Sequence, residues 1–268
     1  MPYAVNDGVQ LAYERDGVAG AETIVFVCGL GYGTWMWNWQ RERLADEYDL
    51  LLWDNRGAGD SETPKGPYTI PEMAADLEAV LDDAGVESAH VVGASMGGMI
   101  AQQYVLEYDR AETVSLLCTT PGGPDEEPIP DETLERMFGV PDGYDRRESI
   151  RYKMKPALTD EFWESHDEVI EQIIDWRLDS DASEQAREWQ GAAVEAFDVS
   201  ERLTEIEIPA LVLHGEHDRV VPVGNSDLLV EGIPTATRRT FDDGGSHLFF
   251  IERADAVTDA VRQFIDRT

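Results

Sequence analysis

The stretch of sequence that decides the fold is His90-Val91-Val92-Gly93-Ala94-Ser95-Met96-Gly97. Its apolar, β-branched start predicts a buried strand, and 96–108 has the composition of a helix. Ser95 therefore lies in a Gly-x-Ser-x-Gly pattern at a sharp strand-to-helix turn, which strains its backbone and raises its hydroxyl clear of the sheet. Gly93 and Gly97 prevent a clash between helix and strand. This context predicts a nucleophilic Ser95; the alternative is a glycine-rich turn with an incidental serine.

Outside this turn, short apolar runs alternate with helical stretches. The runs that predict strands are 9–13, 24–28, 50–54, 90–93, 113–118, 209–214 and 235–241. The stretches that predict helices are 70–84, 96–108 and 254–265. This alternation predicts an α/β fold with a mostly parallel sheet, helices on both faces and right-handed crossovers.

The alternation stops after residue 120. An acidic loop that contains prolines leads into 131–197, where tryptophans and isoleucines suggest helices and no run predicts a strand. We therefore predict a helical cap at 121–199, inserted into a core made of 1–120 and 200–268.

Further motifs occur in order along the chain. Cys28-Gly29-Leu30-Gly31 is similar to an H-G-x-G oxyanion loop, and Asp54-Asn55-Arg56-Gly57-Ala58-Gly59-Asp60-Ser61 to a D-x-R-G-x-G-x-S turn. With the Gly-x-Ser-x-Gly turn, the chain resembles the α/β-hydrolase superfamily, in particular its cap-bearing esterases, lactonases and C–C bond hydrolases. The resemblance implies the α/β-hydrolase fold, with an eight-stranded, mostly parallel sheet, over nearly the whole chain apart from the cap.

The resemblance also implies a base and an acid for Ser95, because a neutral hydroxyl is a poor nucleophile. Gly215-Glu216-His217-Asp218 resembles the G-x-x-D loop of the family, which makes Asp218 the acid and leaves Glu216 as the alternative. His247 follows a glycine loop where the family places its base, and an imidazole suits reversible proton transfer near neutral pH. The other four histidines are His90, His166, His214 and His217.

Negative charge on the substrate oxygen would meet the backbone N–H groups of Leu30 and Met96. Cys28 stands where many relatives carry histidine, a departure that leaves the hydrogen-bond support of this loop open. The aromatic stretch 31–39 has two interpretations: packing of a helix on the sheet, or an apolar acyl pocket. The residues expected to line such a pocket are Trp35, Trp37 and Met99.

The chain of 268 residues carries 55 acidic and 21 basic residues, a net charge of −34. Lysine occurs only at positions 65, 153 and 155, so arginine supplies most of the cations. An acidic surface nearly free of lysine resembles proteins of extreme halophiles, in which concentrated salt screens self-repulsion. The same charge repels phosphate backbones and anionic lipids, so we expect neither nucleic acid nor membrane as a partner.

The amino-terminal residues show neither a basic n-region nor an apolar h-region, and no apolar run approaches the roughly 20 residues that span a bilayer. We expect a cytoplasmic protein. The two cysteines, Cys28 and Cys118, are too few for a disulfide framework or a zinc site. We expect both to be free thiols, on strands that flank the strand before Ser95.

The primary functional hypothesis is hydrolysis of a small carboxylic ester or lactone through an acyl-enzyme, without metal or organic cofactor. C–C bond hydrolysis with the same triad is an alternative, and a low-turnover ligand receptor on the same fold is another. The haloalkane dehalogenases use an aspartate where this chain has Ser95, and so they are excluded. The sequence decides neither the substrate nor the oligomeric state.

The charge balance predicts that folding and activity need concentrated salt. The Debye length falls from about 10 Å at 0.1 M to about 3 Å at 1 M, so molar KCl screens most carboxylate repulsion. Net stability is only about 5 to 15 kcal/mol, and unscreened repulsion of a few kcal/mol decides the balance. We expect the melting temperature and ester turnover to rise between low and molar KCl. Equal values in both would contradict the halophilic interpretation.

Overall fold

The computed structural model describes residues 1–268, apart from the side chain of Phe138, and its strands form one eight-stranded sheet. The strands are β1 Tyr3–Asn6, β2 Val9–Gly17, β3 Thr23–Val27, β4 Asp49–Trp53, β5 Ala89–Ala94, β6 Ala111–Leu117, β7 Ala210–Gly215 and β8 Ala236–Phe241. Their order in the sheet is β1-β2-β4-β3-β5-β6-β7-β8. Only the β1–β2 and β2–β4 pairs of this sheet are antiparallel. The predicted mostly parallel sheet is confirmed.

The helices connect and cover these strands. They are α1 Asn38–Leu44, α2 Ile70–Asp83, α3 Met96–Glu107, α4 Asp131–Phe138, α5 Arg146–Met154, α6 Asp160–Ser165, α7 Asp167–Ser180, α8 Glu184–Glu195, α9 Asn225–Gly232, α10 Phe249–Glu252 and α11 Ala254–Ile265. We call 28–31 the first glycine loop and 54–61 the second. The predicted helix after the second glycine loop begins at Ile70, where the Thr69 side chain accepts the Glu72 N–H. Gly85, at φ +67°, follows its last turn.

Two hydrophobic cores lie on opposite faces of the sheet. Successive residues of a strand point to opposite faces, so Val91 of β5 packs with α2 and α3 while its neighbour Val92 packs with α1 and α11. A strand buried on both faces reads as a continuous apolar run, which is why the central strands were recognisable in the sequence. The predicted helical cover on both faces is confirmed.

The segment between β6 and β7 forms helices α4 to α8. Its two ends lie together, because Gly122 and Asp198 form an isolated β-bridge and the Val199 N–H donates to the Pro121 carbonyl at 2.9 Å. The segment therefore leaves the sheet and returns at one place, which supports the predicted insertion at 121–199.

One strand differs from what the sequence suggested. β1 was not predicted, and it pairs with β2 through a turn at Asp7 and Gly8, both at positive φ. The aromatic stretch after the first glycine loop (28–31) is helical, in agreement with one of its two interpretations: a 3₁₀ turn, Thr34–Trp37, runs into α1.

Both cysteines are free and buried. Cys28 follows β3 and Cys118 follows β6, and these two strands flank β5 as predicted. Burial raises the pKa of each thiol well above its ordinary value. Within the described residues, no helix is long and apolar enough to cross a membrane.

The turn after β4 holds a buried carboxyl group, Asp54. It accepts the backbone N–H groups of Thr34 at 2.9 Å and Asp60 at 3.1 Å, and so it ties the start of the aromatic stretch to the second glycine loop. Burial raises the pKa of Asp54 to about 6, against the effect of these hydrogen bonds. Asp54 thus connects two loops while it is held out of water.

We expect Asp54 to make the protein less stable as pH rises. Its folded pKa of about 6 exceeds the ordinary 3.8, so between these values the folded state holds a proton that the unfolded state has lost. The contribution of Asp54 to the free energy of unfolding is fully present below about pH 4. It falls by about 3 kcal/mol as the pH rises to about 6. Asp54→Asn should remove this loss from unfolding curves measured at pH 4 to 7. Asp46→Asn, at an exposed position outside this turn, is the control and should keep it.

Candidate active site

The backbone of Ser95 is strained at the end of β5, as the sequence predicted. Its φ of 56° and ψ of −122° lie in a region that residues with side chains rarely adopt. A Cβ on Gly93 would lie 2.2 Å from the Gly97 carbonyl oxygen, and a Cβ on Gly97 would lie 2.2 Å from that of Val27. Both positions therefore require glycine, and the turn presents a partly exposed Ser95 at the start of α3.

The structure brings Asp218 and His247 together at the carboxyl end of the sheet. Asp218 Oδ2 lies 2.8 Å from His247 Nδ1, and Oδ1 accepts the N–H groups of Val220 and Val221 at 2.7 and 2.9 Å. Burial alone would raise the pKa of Asp218, but His247 and His214 together hold it well below its usual range. Asp218 is an ionised, fully bonded acceptor that fixes the ring of His247 and leaves Nε2 free of this contact.

The neighbouring strand β6 lies between Ser95 and the Asp218–His247 pair. The Ser95 N–H donates to the Leu117 carbonyl at 2.9 Å, and polar atoms of the next residue, Cys118, and of Asp218 and His247 lie within 4.8 Å of one another. Among the described residues, Ser95 Oγ makes no hydrogen bond to His247. Such bonds are often long without substrate and tighten in the complex. The Ser95 turn and the Asp218–His247 pair thus lie at the ends of neighbouring strands, and their action as one triad stays a prediction.

Cys118, Asp218 and His247 are also residue types that bind metals. A thiol must lose its proton to bind a metal, and burial together with the nearby charge of Asp218 raises the pKa of Cys118 well above its ordinary value. Asp218 already has a partner on each oxygen. This cluster fits a proton-transfer pair better than a metal site.

The alternative acid is placed elsewhere. Glu216 is exposed, and its Oε1 accepts the Thr240 hydroxyl at 2.7 Å. The geometry favours Asp218.

The remaining histidines have structural surroundings. His90 Nδ1 lies 3.0 Å from the Thr113 hydroxyl at the start of β5, His166 stacks on Phe162, and His217 pairs with Asp242 at the surface. His214 is different and was missed by sequence reasoning. Its Nε2 donates to the Val221 carbonyl at 2.8 Å and lies 3.4 Å from Asp218 Oδ2, so it helps to position the acid loop.

The first glycine loop lies against Ser95. A Cβ on Gly29 would lie 3.6 Å from Ser95 Cβ, so the next residue, Leu30, is adjacent to the nucleophile candidate. Met96 is the first residue of α3, where backbone N–H groups have no acceptor within the helix. Leu30 thus follows a residue that contacts Ser95 and Met96 follows Ser95 itself, and the oxyanion hole that their N–H groups would form stays a prediction.

Two contacts hold this loop without the histidine that Cys28 replaces. The Asn55 side-chain amide donates to the Cys28 carbonyl at 2.8 Å. Gln190 of α8 accepts the Gly31 N–H at 2.6 Å and donates to the Arg56 carbonyl at 2.9 Å. Gln190 was also missed; its signal is a glutamine on the buried stripe that it shares with Ala186 and Ala193.

The structure corrects one predicted pocket residue. Trp37 has no exposed surface and packs between Phe26 and Phe250, with ring centroids 4.9 and 5.2 Å away, so it belongs to the hydrophobic core. Trp35 and Met99 are each 5% exposed, and their role in a substrate pocket stays a prediction.

Comparisons with known proteins agree with this geometry. Residues 24–260 match the family model described as "Alpha/beta hydrolase family". The chain is 32% identical to "Putative carbamate hydrolase RutD" of Azorhizobium caulinodans, over 98% of each protein. It is 32% identical to a 2-hydroxy-6-oxononadienedioate/2-hydroxy-6-oxononatrienedioate hydrolase of Paraburkholderia phymatum, over 85% of this chain and 81% of that one.

A solved structure is similar over its whole length. The enol-lactonase from Burkholderia xenovorans LB400 superposes with a TM-score of 0.84 at 30% identity, over 99% of this chain and 100% of that one. The chain is a hydrolase of the alpha/beta hydrolase family.

Proposed function

We propose that this protein hydrolyses a small carboxylic ester or lactone with a Ser95–His247–Asp218 triad. The observation that carries the proposal is the buried Asp218–His247 pair at the end of the sheet beside the strained Ser95. The similarity to an enol-lactonase supports the substrate class. The cap at 121–199 covers the site and selects the substrate.

The proposed reaction has two halves. His247 Nε2 accepts the proton of Ser95 as Oγ attacks the carbonyl carbon, and Asp218 stabilises the imidazolium through Nδ1. The N–H groups of Leu30 and Met96 bind the resulting oxyanion. His247 then donates the proton to the leaving alkoxide, which stays attached to the acyl group in a lactone. Water, activated by His247, attacks the acyl-enzyme, releases the carboxylic acid and regenerates Ser95. No step needs a metal or an organic cofactor.

C–C bond hydrolysis is the second candidate. It is favoured by the 32% identity to the 2-hydroxy-6-oxononadienedioate/2-hydroxy-6-oxononatrienedioate hydrolase. A panel of p-nitrophenyl esters of increasing acyl length, assayed in molar KCl beside a vinylogous diketone, separates the two. A low-turnover receptor on the same fold would hydrolyse neither and would not be labelled at Ser95 by a fluorophosphonate.

We expect Ser95→Ala to lower kcat for p-nitrophenyl esters by at least about 10³-fold, because the covalent intermediate is lost. The fold should persist, since the change removes one partly exposed hydroxyl. Steady-state kinetics with circular dichroism measure both. Ser88→Ala, at an exposed position just before β5 begins and so at the opposite end of the sheet, is the matched control and should retain wild-type activity. More than about a tenth of the wild-type kcat in Ser95→Ala would remove Ser95 from the nucleophile role.

We expect Asp218→Asn to lower kcat by about 10³- to 10⁴-fold, because the amide no longer stabilises the imidazolium. The double variant Asp218→Asn with His247→Ala should lose far less kcat than the product of the two single losses. Glu216→Gln tests the alternative acid and should change kcat by less than about twofold, since Glu216 bonds Thr240 at the surface. A larger loss in Glu216→Gln than in Asp218→Asn would show that the acid is misassigned.

A further inference from the structure

A cluster of cations lies in the proposed cap, where α7 and α8 contact the residues after Leu30. Arg177 of α7 and Arg187 of α8 lie over the ring of Tyr32, with guanidinium carbons 4.6 and 5.8 Å from its centroid. Lys153 of α5 is close enough for the charges of Arg187 and Arg177 to lower its pKa, and we count it as the third cation of the cluster. Such a grouping of positive charge is unexpected in a chain with 55 acidic and 21 basic residues.

The charges of the cluster are incompletely balanced. Asp181 accepts from Arg177 Nε at 2.8 Å and lies 3.4 Å from Arg187 Nη1, so one carboxylate serves two guanidinium groups. Its other oxygen accepts from Trp35 at 3.4 Å. Glu184, near Lys153, is exposed to solvent.

Arg177 has an unused hydrogen-bond donor. The side chain is 4% exposed, and Nη1 is buried without a hydrogen-bond partner among the described residues. A buried guanidinium nitrogen without an acceptor costs free energy, because its contact with water has been lost and nothing replaces it. An acceptor supplied by a ligand would remove this cost.

The electrostatics point the same way. Burial, and then the positive charge of Arg177, lower the pKa of Arg187. Burial, and then the positive charge of Arg187, lower the pKa of Lys153. Asp181 and Tyr32, by contrast, hold the pKa of Arg177 above its ordinary value against the effect of burial. Arg187 and Lys153 are thus the cations that their surroundings disfavour, and an anion placed beside them would stabilise both.

The cluster adjoins the proposed reaction centre. The Arg187 side chain lies across Gly31, with Nη1 3.5 Å from the Gly31 carbonyl oxygen, and a Cβ on Gly31 would overlap its guanidinium. Gly31 directly follows Leu30, whose N–H is proposed to bind the oxyanion. Gly29 of the same loop lies against Ser95, so one short loop contacts both the nucleophile candidate and Arg187.

We propose that Arg177, Arg187 and Lys153 bind a carboxylate on the acyl part of the substrate, so that the substrate is a half-ester or lactone acid rather than a neutral ester. The inference rests on the proposed function. A carboxylate matches the planar fork of a guanidinium, which can donate two parallel N–H groups to it.

The test compares two substrates that differ in one charge: mono-4-nitrophenyl glutarate and its methyl ester. The ratio of kcat/KM for the anionic to the neutral substrate is measured at constant molar KCl. A substitution that damages the active site in general lowers kcat/KM for both substrates alike, so its effect cancels in this ratio. A charge-assisted hydrogen bond supports a fall in the ratio of about 10- to 100-fold in Arg177→Gln and in Arg187→Gln. A smaller fall is expected in Lys153→Gln.

The matched control is Arg147→Gln. Arg147 lies on the cap surface, where it pairs with Glu171 and Asp175, and its removal should leave the ratio unchanged. Loss of the buried Arg177 could prevent folding. In that case Arg187→Gln still decides the test, because the Arg187 side chain is 29% exposed and its replacement is less disruptive. A ratio within about threefold of wild type in folded Arg187→Gln and Lys153→Gln would overturn the proposal.

A binding measurement separates this inference from the proposed function. Glutarate should raise the melting temperature of the wild type above the value in equimolar glutaramide, and Arg187→Gln should abolish the difference. If neither ester is hydrolysed but glutarate stabilises the wild type alone, the ester function fails and the anion site stands. If the neutral ester is hydrolysed and glutarate has no effect on the wild type, the anion site fails and the ester function stands.

Discussion

The close approach of three backbone segments at Ser95 is the constraint on which the rest of the site depends. The end of β3, the end of β5 and the start of α3 meet with no room for a Cβ at Gly93 or Gly97. A residue held in such a sparsely populated conformation costs of order 1 to 3 kcal/mol. Parallel pairing of β5 with β3 and β6 fixes the strand that enters the turn, and the packed helix α3 fixes the exit. The sheet therefore maintains the strain, and the same crowding brings Gly29 against Ser95.

The segment 121–199, the proposed cap, helps to hold the loop that lies against Ser95. Gln190 binds the Gly31 N–H, and the Ala182 N–H donates to the Gly31 carbonyl at 3.0 Å, so both backbone groups of this glycine are held from the cap. On the core side, Asp54 holds Thr34 three residues further on. The loop that carries Leu30 is thus fixed between two parts of the chain that are remote in sequence. Arg187 of the proposed anion cluster contacts the same Gly31 carbonyl, so binding of an anion there would act on the proposed oxyanion loop.

Local patterns in the sequence predicted the sheet, the serine turn and the candidate triad, because each depends on a few adjacent residues: a buried strand on its apolar run, the turn on its glycines. The features that were missed depend on contacts between distant segments. The core position of Trp37 depends on its contact with Phe250, a residue remote in sequence. The role of Gln190 likewise depends on the contact of α8 with Gly31. β1 is too short and too polar to stand out without β2. Charge pairing in the cap follows from the packing of α7 on Tyr32, which no spacing along the chain specifies.

The acidic surface and the internal cations act at different ranges. A net charge of −34 repels an anionic substrate as it approaches, and this long-range repulsion is removed when molar salt reduces the Debye length to about 3 Å. Contacts between buried groups such as Arg177 and Asp181 are shielded from ions, so salt weakens them much less. An anionic substrate and a strongly acidic enzyme are therefore compatible in concentrated salt, where repulsion outside is screened while attraction at Arg177 persists. In dilute salt the same surface would oppose binding and folding together.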